Sequence, residues 1–458
     1  MRNLSTGWTV ILLLFIFGFS SCDDDQDVPN NPVIGTAFDV ASGDDRFTVL
    51  TAALERTGLD NALDVPTARL TVFAPTDAAF AASGIDLSAL SDEALTNVLL
   101  YHVVRGQSLL SATIPSGRTP LDTENKTGPE GSALPLFVDN NGGTININES
   151  ATVVAADVQV VNGVIHGIDQ VLLPPSILDR ARLDGRFTTL IAALERTELD
   201  DVVAGEGDFT VFAPTDDAFA AANIDLDAVT DEDLKELLLY HVLGQSIPAG
   251  RIASGNSFVT TLNTSGPDDE SLSLLIDLSD GNVTLNADAA VVVPDVYATN
   301  GVVHALDKVL AYQSIVDFTV KADGVSELEA AVVAAGLVGT LSADGPFTVF
   351  APVNAAFEAI ADTVSTLSVE RVASILAAHV ANGNVTSDEL TETMVSTLNM
   401  DYMVNLQINP GADSNSTDDD FFQIATSDST AVNFILTDIQ GTNGVIHLID
   451  EVLLPANF

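Results

Sequence analysis

The feature that most restricts this chain is that it repeats itself phrase by phrase. TVFAPTDAAF, starting at Thr71, returns as TVFAPTDDAF at Thr210 and TVFAPVNAAF at Thr348, spacings of 139 and 138 residues. The same two spacings separate His102, His241 and His379, which sit in LLYHV, LLYHV and AAHV. FTVLTAALERTGLD at Phe47 is rewritten as FTTLIAALERTELD at Phe187 and, more loosely, as VSELEAAVVAAGLV at Val325. Each copy closes on one phrase: NGVIHGIDQVLLP at Asn162, NGVVHALDKVL at Asn300 and NGVIHLIDEVLLP at Asn443. Solenoid units repeat every ~20–50 residues, so a period this long means that each copy is a complete domain. The 458 residues therefore divide as 34–174, 175–313 and 314–458, the third being the divergent copy. The joins, LLPPSILD at Leu172 and LAYQSIVD at Leu310, hold no glycine-rich spacer, which predicts domains set end to end with little freedom.

Local patterns make each domain α+β. Leu50, Leu54 and the neighbouring alanines mark one face of a helix. Thr71, Val72 and Phe73 read as a buried strand stopped by Pro75, with Asp77 expected to cap a short helix that turns Phe80 inward. Ser91, Asp92 and Glu93 open a helix that runs to Tyr101 and His102, its acids on the positive end of the helix dipole. Beyond it LPLFVD, TININ and TVVAADV are short β runs. Asn162 and Gly163 then read as the turn of a hairpin joining two apolar runs. Helices thus fill the first half of each domain and strands the second.

No G-x-S-x-G elbow, P-loop, complete G-x-G-x-x-G or H-E-x-x-H occurs, and no catalytic residue, cofactor or metal site is expected. All six histidines fall in the repeated phrases, as His102 with His166, His241 with His304 and His379 with His447. Two rings and an aspartate could gather around zinc. The alternative is that each neutral ring satisfies buried backbone groups with its one donor and one acceptor, and the lack of metal-ligand spacing favours it. The acidic stretch 413–420, DSNSTDDD, lacks the glycine and glutamate of a calcium loop and reads as solvated.

Charge and the amino-terminal end narrow the setting. Sixteen Lys+Arg stand against 65 Asp+Glu, a formal −49, which repels phosphate backbones and anionic headgroups and excludes nucleic acid as an expected partner. Cys22 is the only cysteine, so no intrachain disulfide can form. Arg2, an apolar run over 9–19 and Ser20, Ser21, Cys22 have the layout of a signal peptide whose apolar part is too short to span a bilayer. The segment resembles a bacterial lipobox. That resemblance implies cleavage before Cys22, leaving 1–21 as signal peptide and 22–33 as a lipidated acidic tether. Asp23, Asp24, Asp25 and Asp27 suit a solvated tether and also resemble the acidic signal that sends Bacteroidota lipoproteins to the cell exterior. The implied location is the cell envelope, as an outer membrane lipoprotein facing outward.

A TVFAPTDxAF box, a YHV about 30 residues on and a closing NGVIHxIDxVLLP box, in that order, resemble the fasciclin domain. The resemblance covers nearly the whole mature chain in three copies. The third departs from it: Ala378 replaces the tyrosine, Val353 and Asn354 replace the Thr-Asp pair, and an acidic insertion occupies 411–422. The resemblance implies a β-sandwich-like wedge flanked by helices, and extracellular adhesion. In animal members the YH segment and an Asp-Ile pair before the last box are implicated in integrin binding. The matching positions here are Tyr101, His102, Tyr240 and His241, with the pairs Asp157 and Val158, Asp295 and Val296, Asp438 and Ile439. An ordinary polar–apolar pair in a hairpin is the competing reading of those aspartates. Asn162, Gly163 and His166 are read as a structural motif, with Asn300, Gly301 and His304, and Asn443, Gly444 and His447. The expected function is that of a lipid-anchored, extracytoplasmic, non-enzymatic adhesion protein. It would bind a cell-surface or matrix protein or glycan, with tandem copies adding avidity. The alternative is a polysaccharide-binding accessory lipoprotein of a glycan-uptake or biofilm system. Against it, the only tryptophan, Trp8, lies within the signal.

Overall fold

The computed structural model describes residues 35–226, 228–364, 366–390, 394–399, 403–409, 421–425 and 431–454. The signal segment, Cys22, the acidic tether and the stretch 413–420 lie outside them.

In the first domain the helix Thr48–Thr57 buries Leu50, Ala53 and Leu54 and stops where Gly58 turns left-handed at φ 71°. Its first turn has no cap of its own. Asp77 supplies one from a distance, accepting from the Val49 N–H at 2.9 Å and the Thr48 hydroxyl at 2.5 Å. This corrects the expected role of Asp77. The cap of its own helix, Asp77–Ser83, is Thr76, whose Oγ1 accepts from the Ala79 N–H at 3.2 Å. Asp216 and Asn354 cap across in the same way in the second and third domains. The helix Asp92–Tyr101 starts under Ser91 and buries Leu95, Val98 and Leu99.

Seven strands follow: β1 (Leu70–Pro75), β2 (Val103–Arg105), β3 (Gly117–Asp122), β4 (Pro135–Asn141), β5 (Thr144–Ile147), β6 (Ala151–Val160) and β7 (Gly163–Ile168). Their order across the sheet is β2-β1-β7-β6-β5-β4-β3. β1 and β7 are parallel and the other neighbours antiparallel. The last strand of the domain therefore inserts beside the first, and the sheet is complete only when both ends of the domain are present. β6 pairs with β5 at its start and with β7 along the rest, which divides the sheet into two halves. The helices pack on one half over Phe47, Leu50, Leu54, Val72, Leu99 and Ile165. A second core around Phe73, Tyr101, Leu136, Val138 and Ile147 belongs to the β-rich half.

The other two domains repeat the seven-strand order, again with first and last strands parallel: Phe209–Pro214 beside Gly301–Leu306, and Phe347–Pro352 beside Gly444–Ile449. The chain is α+β, three tandem sandwich-like wedges flanked by helices. Each domain opens on a short helix set in a capping box: Ala37–Ser42 under Thr36, Ile177–Asp184 under Ser176, Ile315–Lys321 under Ser314.

Candidate functional site: the bulged hairpin of each domain

The closing phrase does form a hairpin, with its turn one residue earlier than expected. Val160 pairs with Gly163, so the turn is Val161 and Asn162, and Gly163 is the first residue of β7. Neither turn residue has positive φ, so this is not the type I′ turn that Asn-Gly suggests. Glycine is needed for another reason. A Cβ on Gly163 would lie 2.0 Å from the Leu70 carbonyl oxygen of the parallel neighbour, and Gly301 and Gly444 approach the Phe209 and Phe347 carbonyls equally closely. The Asn162 side chain accepts from the Ala37 N–H at 2.8 Å and donates to the carbonyls of Leu63 and Val65 at 2.7 and 3.1 Å. One amide thus ties the opening helix, the loop before β1 and the final hairpin together. Asn300 and Asn443 do the same for their domains.

The histidines are all buried and doubly bonded. His102 donates from Nδ1 to the Val98 carbonyl at 2.8 Å and accepts at Nε2 from the Leu172 N–H at 2.9 Å. His166 holds the opposite tautomer. Its Nδ1 accepts from the Asp157 N–H at 3.3 Å and its Nε2 donates to the Leu109 carbonyl at 2.8 Å. His241 and His379 repeat the first arrangement, His304 and His447 the second. A metal ligand needs a free ring nitrogen, and each of these rings spends both on the backbone. Among the described residues no three His, Cys, Asp or Glu side chains gather into a metal-binding group. Burial lowers the pKa of His102, His241 and His379 to about 4, against the opposing pull of the bond to a helix carbonyl. Burial also lowers His166, His304 and His447, with a carbonyl bond and the nearby aspartate pulling upward.

Two bulges interrupt β6, one on each side of Ala155, and they put Asp157 in the left-handed region at φ 61°. Its carboxylate accepts from the Ser111 N–H at 2.7 Å and from the Ser111 hydroxyl. Asp157 and His166 together clamp the loop around Leu109 and Ser111 onto the hairpin. Burial raises the Asp157 pKa, but the Ser111 bonds and the field of His166 outweigh it and hold the carboxyl below its ordinary value. Asp438 grips Ser387 through the same two groups, whereas Asp295 has only the amide of Ala249.

The interaction candidates of the YH segment are not on the surface. Tyr101 and Tyr240 are 0% exposed, and His102 and His241 are 2% exposed. The Tyr101 hydroxyl donates to the Pro135 carbonyl at 3.1 Å and accepts from Asn148 Nδ2 at 3.0 Å; Tyr240 does likewise with Ser273 and Asn286. Ile439 is buried as well. Asp157, Val158, Asp295, Val296 and Asp438 are half-buried. What separates the three bulges is the position two residues after the aspartate. Gln159 is exposed, Tyr297 packs against the first domain's β-side core, and Gln440 is buried, its N–H donating to Ser273 Oγ of the second domain at 2.9 Å. The second and third bulges therefore serve as joints to the preceding domain, and the first presents this position to solvent.

Sequence reasoning passed over Ser111, which the clamp holds, and Arg180, which enters the first joint. Arg180 could have been found by counting: it is the fourth residue after a capping Ser or Thr, where the other copies have Val40 and Phe318.

A closing Asn-Gly hairpin parallel to the first strand, repeated three times with the same histidine clamps, defines one domain class. The fasciclin domain profile matches residues 45–174, 185–312 and 323–455. The chain belongs to the fasciclin domain family. Each matched segment begins after the opening helix that the asparagine clamp draws into the domain. The chain is 29% identical over 310 residues to transforming growth factor-beta-induced protein ig-h3 of Oryctolagus cuniculus, covering 63% of this chain and 42% of that protein. It is 30% identical over 278 residues to human periostin, covering 58% and 31%. It is 41% identical over 145 residues to protein sll1483 of Synechocystis sp., covering 31% and 74%. It thus spans less than half the length of ig-h3 and periostin. A solved FAS1 domain pair from the insect cell adhesion molecule Fasciclin I aligns at 21% identity and TM-score 0.34, covering 60% of this chain and 95% of that one. Among the described residues no helix is long and apolar enough to cross a membrane.

Proposed function

We propose that this chain is a non-enzymatic adhesion protein, held at the outer face of a cell envelope by a lipid on Cys22, that binds a cell-surface or matrix protein or glycan. Membership of the fasciclin domain family supports the adhesive role, and the commitment of all six histidines to backbone partners supports a scaffold over a catalyst. The observation that carries the reading is the difference between the bulges. In the second and third domains the strand end is built into a joint, while in the first Gln159 is exposed, close in sequence to Val161, 54% exposed. Contact then centres on the first domain, and the later domains extend the chain. A formal charge of −49 selects for neutral or basic partner surfaces.

Binding of the mature chain to arrays of matrix proteins and glycans tests this directly. Val161→Asp, at the open strand end, should abolish the strongest saturable signal, while Val292→Asp, at an exposed valine of the second domain, should leave it intact. Equal loss in both variants, or no saturable binding to either array, refutes the reading. The anchor is tested separately: labelled fatty acid should enter the wild-type protein and not Cys22→Ser.

A further inference from the structure

The two joints between domains share one geometry and differ in chemistry. In both, the opening helix of a domain lies against the β-rich half of the domain before it, and its fourth residue after the capping serine enters the joint. In the first joint that residue is Arg180. Its Nε donates to the Tyr297 carbonyl at 2.8 Å, its Nη2 donates to the Pro135 carbonyl of the first domain, and its guanidinium lies over Phe137. In the second joint the residue is Phe318, which meets Phe258 of the second domain edge to face at 5.4 Å.

Two further exchanges fall at the same place. In the first two domains Arg46 lies over Phe47, and Arg186 over Phe187, just before the second helix. The third domain has Gly324 and Val325 there instead, and Leu448, in place of Gly167 and Ala305, refills part of the lost volume. What remains is a cavity of about 150 Å³ between the second and third domains, walled by Phe258, Phe318, Val325, Ile439, Ile446 and Leu448. No charged side chain lines it; Asn256, Ser257 and Thr319 are the polar groups at its edge.

We propose that this joint is a binding site for a small, uncharged molecule built on a single aromatic ring. The pocket is walled mainly by apolar side chains and opens in part to solvent, and its volume of about 150 Å³ has room for a molecule the size of benzene. The half-buried Phe258 ring, held edge to face by the buried Phe318, offers its remaining side to a third ring. The lining has nothing to compensate a carboxylate or an ammonium, so charged relatives of the same ring are excluded. Because the walls come from two domains, an occupant holds them together; in the first joint Arg180 takes the place of Phe318. The site is independent of the adhesive face of the first domain.

The test uses the full mature chain with phenol and benzoate as probes, followed by ligand-observed saturation-transfer NMR and calorimetry. Phenol should give a saturable signal and benzoate none. Val325→Phe, which restores the ring of the first two domains, should lose the phenol signal. Phe318→Arg, which restores the residue of the first joint, should lose it too, so the test survives if one variant does not fold. A folded variant of either kind that keeps the wild-type phenol signal overturns the proposal. So does benzoate binding as well as phenol, or a phenol signal that never saturates.

Discussion

Mild acid should weaken every domain of this protein through its buried histidines. His102, His241 and His379 have pKa values lowered from 6.5 to about 4 in the folded chain. Below pH 6.5 the unfolded chain takes up a proton on each ring while the folded chain does not. Their stabilising contribution is therefore complete above pH 6.5 and is lost as the pH falls through about 4. A gap of this size is worth on the order of 3 kcal/mol per ring, about 2 of them already gone at pH 5. The second histidine of each domain is displaced in the same direction and adds to the loss. An opposing effect comes from the acidic surface, because protonating carboxylates relieves the self-repulsion of a chain at −49. That relief grows nearer pH 4, so the window from pH 6.5 to 5 belongs to the rings. The assay is a titration of the histidine ring signals by NMR, paired with urea midpoints at pH 7 and 5. The His102, His241 and His379 signals should stay flat down to pH 5 while the midpoints fall, and His241→Gln should flatten the pH dependence of the second domain. Any of these three rings titrating near pH 6.5 in the folded protein would refute the reasoning.

Three other outcomes are expected. Gly301→Ala should destabilise the second domain by about 2–4 kcal/mol, because the new Cβ meets the Phe209 carbonyl; Gly250→Ala, where the added carbon meets nothing within 4 Å, should be near neutral in the same urea titration. Asp216→Ala should cost about 1–2 kcal/mol by uncapping the helix Thr188–Arg196, and Asp216→Asn should recover most of it, as Asn354 does the same work in the third domain. Residues 175–313 alone should fold cooperatively by circular dichroism and calorimetry, with Arg180 released to solvent; a molten product would show that the domains share a core.

Local rules account for much of this fold. The Leu50, Ala53 and Leu54 face, the Ser91 cap and the strand stopped at Pro75 are all decided by residues a few positions apart, and the structure has them. The errors involve distant partners. Asn-Gly looks the same whether it forms the turn or follows it by one residue, and what fixes the difference is the Leu70 carbonyl on a strand from the other end of the domain. Asp77 sits where a cap belongs, but the amide it caps is 28 residues away. The burial of the YH segment, in contrast, could have been read. Val98, Tyr101 and His102 follow the three- and four-residue spacing of Leu95, Val98 and Leu99, so they share the inner face of one helix. A family-level expectation of surface contact was set against a periodicity that already placed those side chains inside.

The same distinction says where recognition is to be sought in a tandem chain. A residue repeated in all three copies serves something that all three copies must do, and what they share is the fold. Asn162, Gly163, His166 and Asp157 each prove to be bonded or packed within their own domain, as do their counterparts. The joints and the open face have no such common duty, and there the copies diverge: Val40, Arg180 and Phe318 at one register, Gln159, Tyr297 and Gln440 at another. Each set changes size or charge between domains, which a scaffold position could not tolerate without repacking. The repeated phrase therefore builds each domain, and the unrepeated positions decide how the domains join and what the open face of the first can hold.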